Sequence, residues 1–133
     1  MITTQGVNNS LVKQLTCEKE VSWGSSNQHK LKLENGHYGN VLVKMSGQPW
    51  RGVCDDGFDY NMNGANVVCK MLGYPSAKSV TGESGYGNYD GSDIFALDDI
   101  NCNGNESSLQ DCSYSTTDDC NAGEYAGVEC HRQ

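Results

Sequence analysis

The side chains with the most chemistry in this sequence are cysteines and carboxylates. Cys54, Cys69, Cys102, Cys112, Cys120 and Cys130 fall in one stretch, and Cys17 stands apart near the start. A zinc centre needs Cys or His pairs at short spacing; no Cys-x-x-Cys occurs, and His29, His37 and His131 sit in no ligand motif. Disulfides are the better use, which calls for an oxidising compartment. Spacing alone leaves all fifteen pairings of six cysteines open. The odd Cys17 suits a bridge to a partner chain or to another part of a longer one. Asp55-Asp56 is the other candidate: adjacent carboxylates repel each other and gain from a shared Ca²⁺ or Mg²⁺. Asp59, Asn61, Asn63 and Gly64 match the opening of an EF-hand loop, but Lys70 stands where that loop needs a bidentate Glu, so a helix start is expected instead. Gly82-Glu83-Ser84-Gly85-Tyr86 lacks the last glycine of a nucleophile elbow. With no other catalytic pattern, the chain is not expected to be an enzyme.

These residues need elements to hold them. Residues 1–28 are polar, without steady periodicity, and read as an extension or linker; the domain proper is expected over 29–133. Leu31 and Leu33 alternate with Lys30 and Lys32, Asn35-Gly36 marks a turn, and Val41, Leu42 and Val43 resume, which predicts two strands. Residues 50–54 predict a third. Ala65, Val68, Cys69 and Leu72 share one helical face, with Asn63 expected as N-cap and Gly73 as the left-handed terminator. Residues 76–92 read as a long irregular loop; Glu83, inside it, is expected to lie away from any site. Residues 94–100 and 126–130 are further candidate strands. The class is α+β.

Only 36% of residues are hydrophobic, alongside 16 glycines, so covalent staples are expected to matter. Lys13 and Lys19 balance Glu18 and Glu20, so the whole net charge of −8 falls on the rest of the chain. That balance argues against nucleic acid held by direct charge attraction, and in favour of divalent cations or basic partners. No run approaches the ~18 apolar residues of a membrane span. The start has no apolar signal region, so the sequence is expected to be a piece of a longer secreted or cell-surface protein. Asn8-Asn9-Ser10 and Asn105-Glu106-Ser107 are sequons, making Asn8 and Asn105 candidate glycosylation sites.

Longer strings carry a resemblance. Trp50-Arg51-Gly52-Val53-Cys54-Asp55-Asp56-Gly57-Phe58 is similar to W-G-x-V-C-D-D-x-[WF]. Residues 65–74 are similar to a helix written A-x-V-V-C-R-x-L-G, and residues 97–109 to L-D-x-V-x-C-x-G-x-E-x-x-L. Ala126-Gly127-Val128-Glu129-Cys130 is similar to A-G-V-x-C. In this order, over about residues 29–131, they resemble the scavenger receptor cysteine-rich family in its six-cysteine form. Tyr74 and His37 stand where the eight-cysteine form has its extra pair.

The resemblance implies a curved antiparallel sheet cradling one helix, stapled by Cys54–Cys120, Cys69–Cys130 and Cys102–Cys112. Each long-range bridge is expected to stabilise by roughly 4 kcal/mol on a chain-entropy model. It also implies two cation sites, one of Asp55, Asp56 and Glu124 and one of Asp98, Asp99 and Asp119. Two features depart from the family: Tyr125 replaces an Asp, and the loop between Cys112 and Cys120 is short and lacks Trp-Gly. The function implied is an extracellular module that binds proteins or polyanionic surfaces through bound Ca²⁺ or Mg²⁺. The alternative is a structural or adhesive role, or an accessory domain of a larger secreted protein, tethered through Cys17.

Overall fold

A computed structural model of the chain describes residues 20–23, 26–91, 94–116, 120–121 and 123–132. Asn8, Cys17 and Asp119 lie outside the described residues. The strands are β1 (Glu20–Trp23), β2 (Ser26–Leu33), β3 (Tyr38–Lys44), β4 (Trp50–Gly52), β5 (Ala77–Thr81), β6 (Asp98–Asn101), β7 (Ser113–Ser115) and β8 (Gly127–Cys130). The helix α1 spans Asn63–Met71, and single 3-10 turns occupy Phe58–Tyr60 and Leu109–Asp111. The sheet reaches N-terminal of His29, because β1 and the start of β2 pair as an antiparallel hairpin.

A strand presents alternate residues to one face. Leu31 and Leu33 of β2 and Val41 and Val43 of β3 are accordingly buried together, in register, in the main core. From α1, Ala65, Val68, Cys69 and Leu72 complete this core as the helical period requires, and Val67 adds to it. The helix ends at Gly73 (φ +91°), whose N–H donates to the Lys70 carbonyl while that of Tyr74 reaches Cys69. This paired Schellman closure needs the left-handed residue that glycine supplies most cheaply. The start differs from expectation. Asn63 lies inside the helix and its own N–H donates to Asn61 Oδ1 (2.9 Å). The Asn63 side chain instead reaches out to the Cys102 carbonyl (3.1 Å).

The sheet itself corrects the expected architecture. It is neither curled nor closed, and it is not one continuous curved surface around the helix. Its main path runs β1-β2-β3-β8-β5, β4 branches off β3, and β6-β7 form a separate two-stranded ribbon. The cause is that β4 and β8 share β3. Residues Leu42, Val43 and Lys44 pair with β4, while Tyr38, Gly39 and Asn40 pair with β8. Because the Val41 N–H reaches Ala126 and the Ala126 N–H reaches Val53, β4 and β8 follow one another along the same edge of β3. The sheet therefore forks there, and α1 rests mainly on β5 and β8. Residues 76–92 are also not all loop: β5 lies among them and pairs antiparallel with β8 across a bulge.

Three disulfides close the domain: Cys54–Cys120 and Cys69–Cys130, with sequence separations of 66 and 61, and Cys102–Cys112, with 10. These are the pairs that the resemblance implies. Cys69–Cys130 ties α1 to β8 through the main core. A second, smaller cluster of Cys54, Phe95 and Tyr125 covers the opposite face of the sheet. Gly52 admits it: a Cβ there would sit 2.3 Å from the Tyr125 ring.

Candidate cation site

The acidic end is assembled from segments far apart in sequence. Beyond β4 the chain runs between two neighbours, with the Cys54 N–H donating to Leu97 and the Asp55 N–H to the Glu124 carbonyl, both at 2.9 Å. This brings the carboxylate pair beside the turn at residues 120–124, which Cys54–Cys120 staples in place. Within that turn the Asn121 N–H donates to Glu124 Oε1 (3.4 Å). A third segment closes the site. Glu83 and Ser84 hold left-handed backbone (φ +51° and +54°), and the Glu83 N–H donates to Asp55 Oδ2 at 2.6 Å. The Tyr125 N–H in turn donates to Ser84 Oγ (3.1 Å), tying the two turns together. Together these segments line an open cleft of about 650 Å³.

Asp56 and Glu124 each place a carboxylate oxygen within 4.8 Å of the other, together with the Cys54 and Cys120 sulfurs. Those sulfurs are bridged to each other, so only the two carboxylates can serve an ion. Asp55 is not part of that group; it is buried, and Oδ2 is committed to the Glu83 N–H. Asp56 also places an oxygen within 4.8 Å of Asp98 and Asp99. One carboxylate thus stands within reach of residues from both expected sites. Asp98 is buried and its Oδ1 accepts from the Asp99 N–H (2.7 Å), while Asp99 is exposed with φ +55°. Below this cluster a smaller recess of about 240 Å³ is lined by Tyr60, Asp99 and Asn101, among others.

The donor set fits a hard divalent cation. Two oxygens on one Ca²⁺ stand no farther apart than about 5 Å, twice the ~2.4 Å bond, and that limit is met by the oxygens of Asp56 and Glu124 and, as a separate group, by those of Asp56, Asp98 and Asp99. A third group, Cys102, Glu106 and Cys112, does not fit. Its cysteines are bridged, and Glu106 already accepts from the N–H groups of Asn103 (2.8 Å) and Gly104 (3.0 Å). These bonds, Asn103's foremost, hold the Glu106 carboxyl below its ordinary range. The neighbouring sequon residue Asn105 is exposed.

Three residues of the cleft escaped the sequence reading, Glu83, Asn121 and Gly123. Glu83 was expected to lie away from the site and instead stands on its wall. Its arrival depends on a left-handed turn at two non-glycine residues, which no local pattern announces. Tyr125, the departure from the family's Asp, is a core residue. It packs on Phe95 (4.5 Å between ring centroids), and its hydroxyl donates to the Tyr89 carbonyl (3.1 Å). The Tyr89 phenol beside it is pushed up by burial, then by Asp90.

The described residues form a disulfide-held α+β domain with an acidic loop cleft. Residues 31–131 match the family model of the scavenger receptor cysteine-rich domain, and the chain belongs to that family. The macrophage receptor MARCO of Mesocricetus auratus is 45% identical over 83 residues, which make up 61% of this chain and 16% of that protein. Lysyl oxidase homolog 2 of Homo sapiens is 43% identical over 94 residues, 69% of this chain and 12% of that protein. Among solved structures, the third SRCR domain of murine neurotrypsin has a TM-score of 0.64 at 32% identity, covering 75% of this chain and 94% of that one. The SRCR domain of mouse MARCO, in a dimeric form, has a TM-score of 0.59 at 38% identity, covering 71% and 86%. The chain spans only a small part of the length of its curated relatives. The domain is thus an extracellular ligand-binding module and not a catalytic one. No helix among the described residues is long and apolar enough to cross a membrane.

Proposed function

We propose that this module binds extracellular protein or polyanionic ligands through a divalent cation, Ca²⁺ or Mg²⁺, held at the acidic end. One observation carries the reading: Asp56 lies within 4.8 Å of Glu124 on one side and of Asp98 and Asp99 on the other. Carboxylates so close repel one another, and a cation relieves that repulsion. Ca²⁺ takes six to eight oxygens, so the few protein ligands leave positions open. A sulfate, phosphate or carboxylate of the ligand fills them, and the field near the ion favours anions although the domain is acidic. Asp55 acts as a brace, fixing the Glu83 turn that walls the cleft. Affinity for the cation alone is modest, roughly 10⁻⁴–10⁻³ M, as in other extracellular modules.

Calorimetric titration with Ca²⁺ and with Mg²⁺ tests this. The wild-type chain gives a saturable heat that Asp56→Asn abolishes and Glu124→Gln weakens. An unchanged heat in Asp56→Asn, its fold verified by circular dichroism, would falsify the proposal.

A further inference from the structure

Four ligand-bearing side chains converge around the Cys54–Cys120 bridge. Cys54, Asp56, Cys120 and Glu124 each bring a sulfur or a carboxylate oxygen within 4.8 Å of the other three. Cys54 Sγ lies 3.8 Å from Glu124 Oε1, and Cys120 Sγ lies 4.0 Å from Asp56 Oδ2. A tetrahedral Zn²⁺ takes thiolates at about 2.3 Å and carboxylates at about 2.0–2.2 Å, so its sulfur and oxygen ligands stand about 3.5 Å apart. Both separations already approach that edge. The oxidised chain lacks only the thiolates, because its two sulfurs are bonded to each other. Once freed, they have room to spread. The Cα atoms are 6.2 Å apart, and two sulfurs on one Zn²⁺ stand about 3.8 Å apart.

This bridge is also the one that a reductant reaches. Cys69, Cys130, Cys102 and Cys112 are all buried, at 8% exposure or less, whereas Cys120 is half-buried next to Asn121 of the open cleft. Breaking it spares the main core, since Cys54 packs in the smaller cluster with Phe95 and Tyr125.

We infer that these four residues form a second metal site, gated by the state of one bond. Bridged, the site has two carboxylates for a hard cation; reduced, it has two thiolates and two carboxylates for Zn²⁺. The steps balance. A dithiol reductant passes two electrons and two protons to the bridge and leaves as its own disulfide, and Cys54 and Cys120 become thiols. Zn²⁺ displaces one proton from each thiol, bonds both sulfurs, and takes Asp56 and Glu124 as its remaining ligands. Four protein ligands close the centre, which makes it structural and not catalytic. Thiolates select Zn²⁺ over Ca²⁺ and Mg²⁺, which take oxygen ligands. The ion restores the cross-link between Cys54 and Cys120, so reduction exchanges the ion held without releasing the turn. The inference shares Asp56 and Glu124 with the proposed hard-cation site but does not require Ca²⁺ to bind the oxidised chain.

The test uses the full chain carrying Cys17→Ser, so that no other free thiol competes. A limited amount of an uncharged phosphine, which the carboxylates do not repel, reduces the bridge and takes up oxygen from water. Alkylation and peptide mapping should find Cys54 and Cys120 reduced first, with Cys69–Cys130 and Cys102–Cys112 intact. The reduced chain should bind one Co²⁺ with thiolate charge-transfer and tetrahedral d–d absorption, which the oxidised chain does not give, and Zn²⁺ should displace it. Zn²⁺, but not Ca²⁺, should return the melting temperature of the reduced chain towards that of the oxidised one. Loss of outer-shell partners alone costs about 10–100-fold in metal affinity, so Asp56→Asn and Glu124→Gln should each weaken Zn²⁺ by at least about tenfold. Reduction that begins at another bridge would overturn the proposal. So would a reduced chain that loses its strand signal in circular dichroism and does not regain it with Zn²⁺. Undiminished Zn²⁺ affinity in the Asp56→Asn, Glu124→Gln double variant would leave a two-thiol chelate and sink the four-ligand assignment. Calorimetry of the oxidised chain with Ca²⁺ is a separate measurement, so failure of the hard-cation reading and failure of this one are seen apart.

Discussion

The lysine-bearing face of β2–β4 and the acidic cleft at Asp55–Asp56 have opposite charge, lie a few residues apart along the chain, and are built by different means. On the sheet, each lysine takes its place from the two-residue period of its own strand and from the register of its neighbour. At the acidic end, Asp56, Glu83 and Glu124 line the cleft and Asp98 stands within 4.8 Å of Asp56; they come from four separate segments, brought together by backbone bonds, two turns and the Cys54–Cys120 bridge. The first kind of arrangement is local and stiff. The second depends on long-range closure and is open to being unmade piece by piece. A net charge says how the whole molecule repels or attracts at a distance; it does not assign the sign of any one face.

The comparison can be broken most completely from below. Val68 is fully buried in the core that supports both regions, so Val68→Asp leaves an unpaired charge there and costs about 3–5 kcal/mol. Both regions should be lost, and thermal unfolding should find no cooperative transition at room temperature or above. A normal melting curve would mean that the helix does not carry the sheet as described.

Removing one staple should separate the two. The Cys54→Ser, Cys120→Ser double variant loses roughly 4 kcal/mol on a chain-entropy model. At low temperature its Ca²⁺ heat should vanish while the sheet stays folded by circular dichroism. Loss of the strand signal together with the Ca²⁺ heat would show that the sheet also depends on the bridge.

Asp55→Ala is smaller and sharper. The Glu83 N–H loses a charge-assisted acceptor, worth about 1.5–3 kcal/mol. The loss should be measurable by denaturant titration in chelator, where no ion contributes. Unchanged stability there would mean that Asp55 does not brace the Glu83 turn. The smallest effect belongs to the sheet: Lys44→Glu, opposite Lys30, should raise stability by about 0.2–1 kcal/mol, read as a shift in the urea midpoint.

The same contrast explains how far the sequence could be read. Leu31, Leu33, Val41 and Val43, the buried face of α1 and the Gly73 terminator follow from period and cap chemistry alone. Six cysteines in a chain poor in apolar residues announced staples, but the choice among pairings came from the family strings. What stayed hidden depends on distant partners. Strand β5, Ala-Lys-Ser-Val-Thr, has little pattern of its own and is a strand because β8 offers it an edge. Asn63 resembled a cap, but the N-cap position falls to Met62 and Asn61 accepts the Asn63 N–H. Glu83 belongs to the cleft through a turn whose backbone is unusual for its residues. The fork at β3, where two short strands share one edge, cannot be seen in any single strand's composition.

Strand β8 is the last element of the domain to be synthesised, yet it lies inside the sheet between β3 and β5, and its Cys130 closes on the helix. A nascent chain that has not yet exposed residues 127–130 offers two unfilled edges and a thiol at Cys69 whose partner has not arrived. The domain therefore cannot settle from its N-terminus onward. It waits for its final residues, and during that interval the cell must keep the Cys69 thiol from pairing with Cys54, Cys102, Cys112 or Cys120.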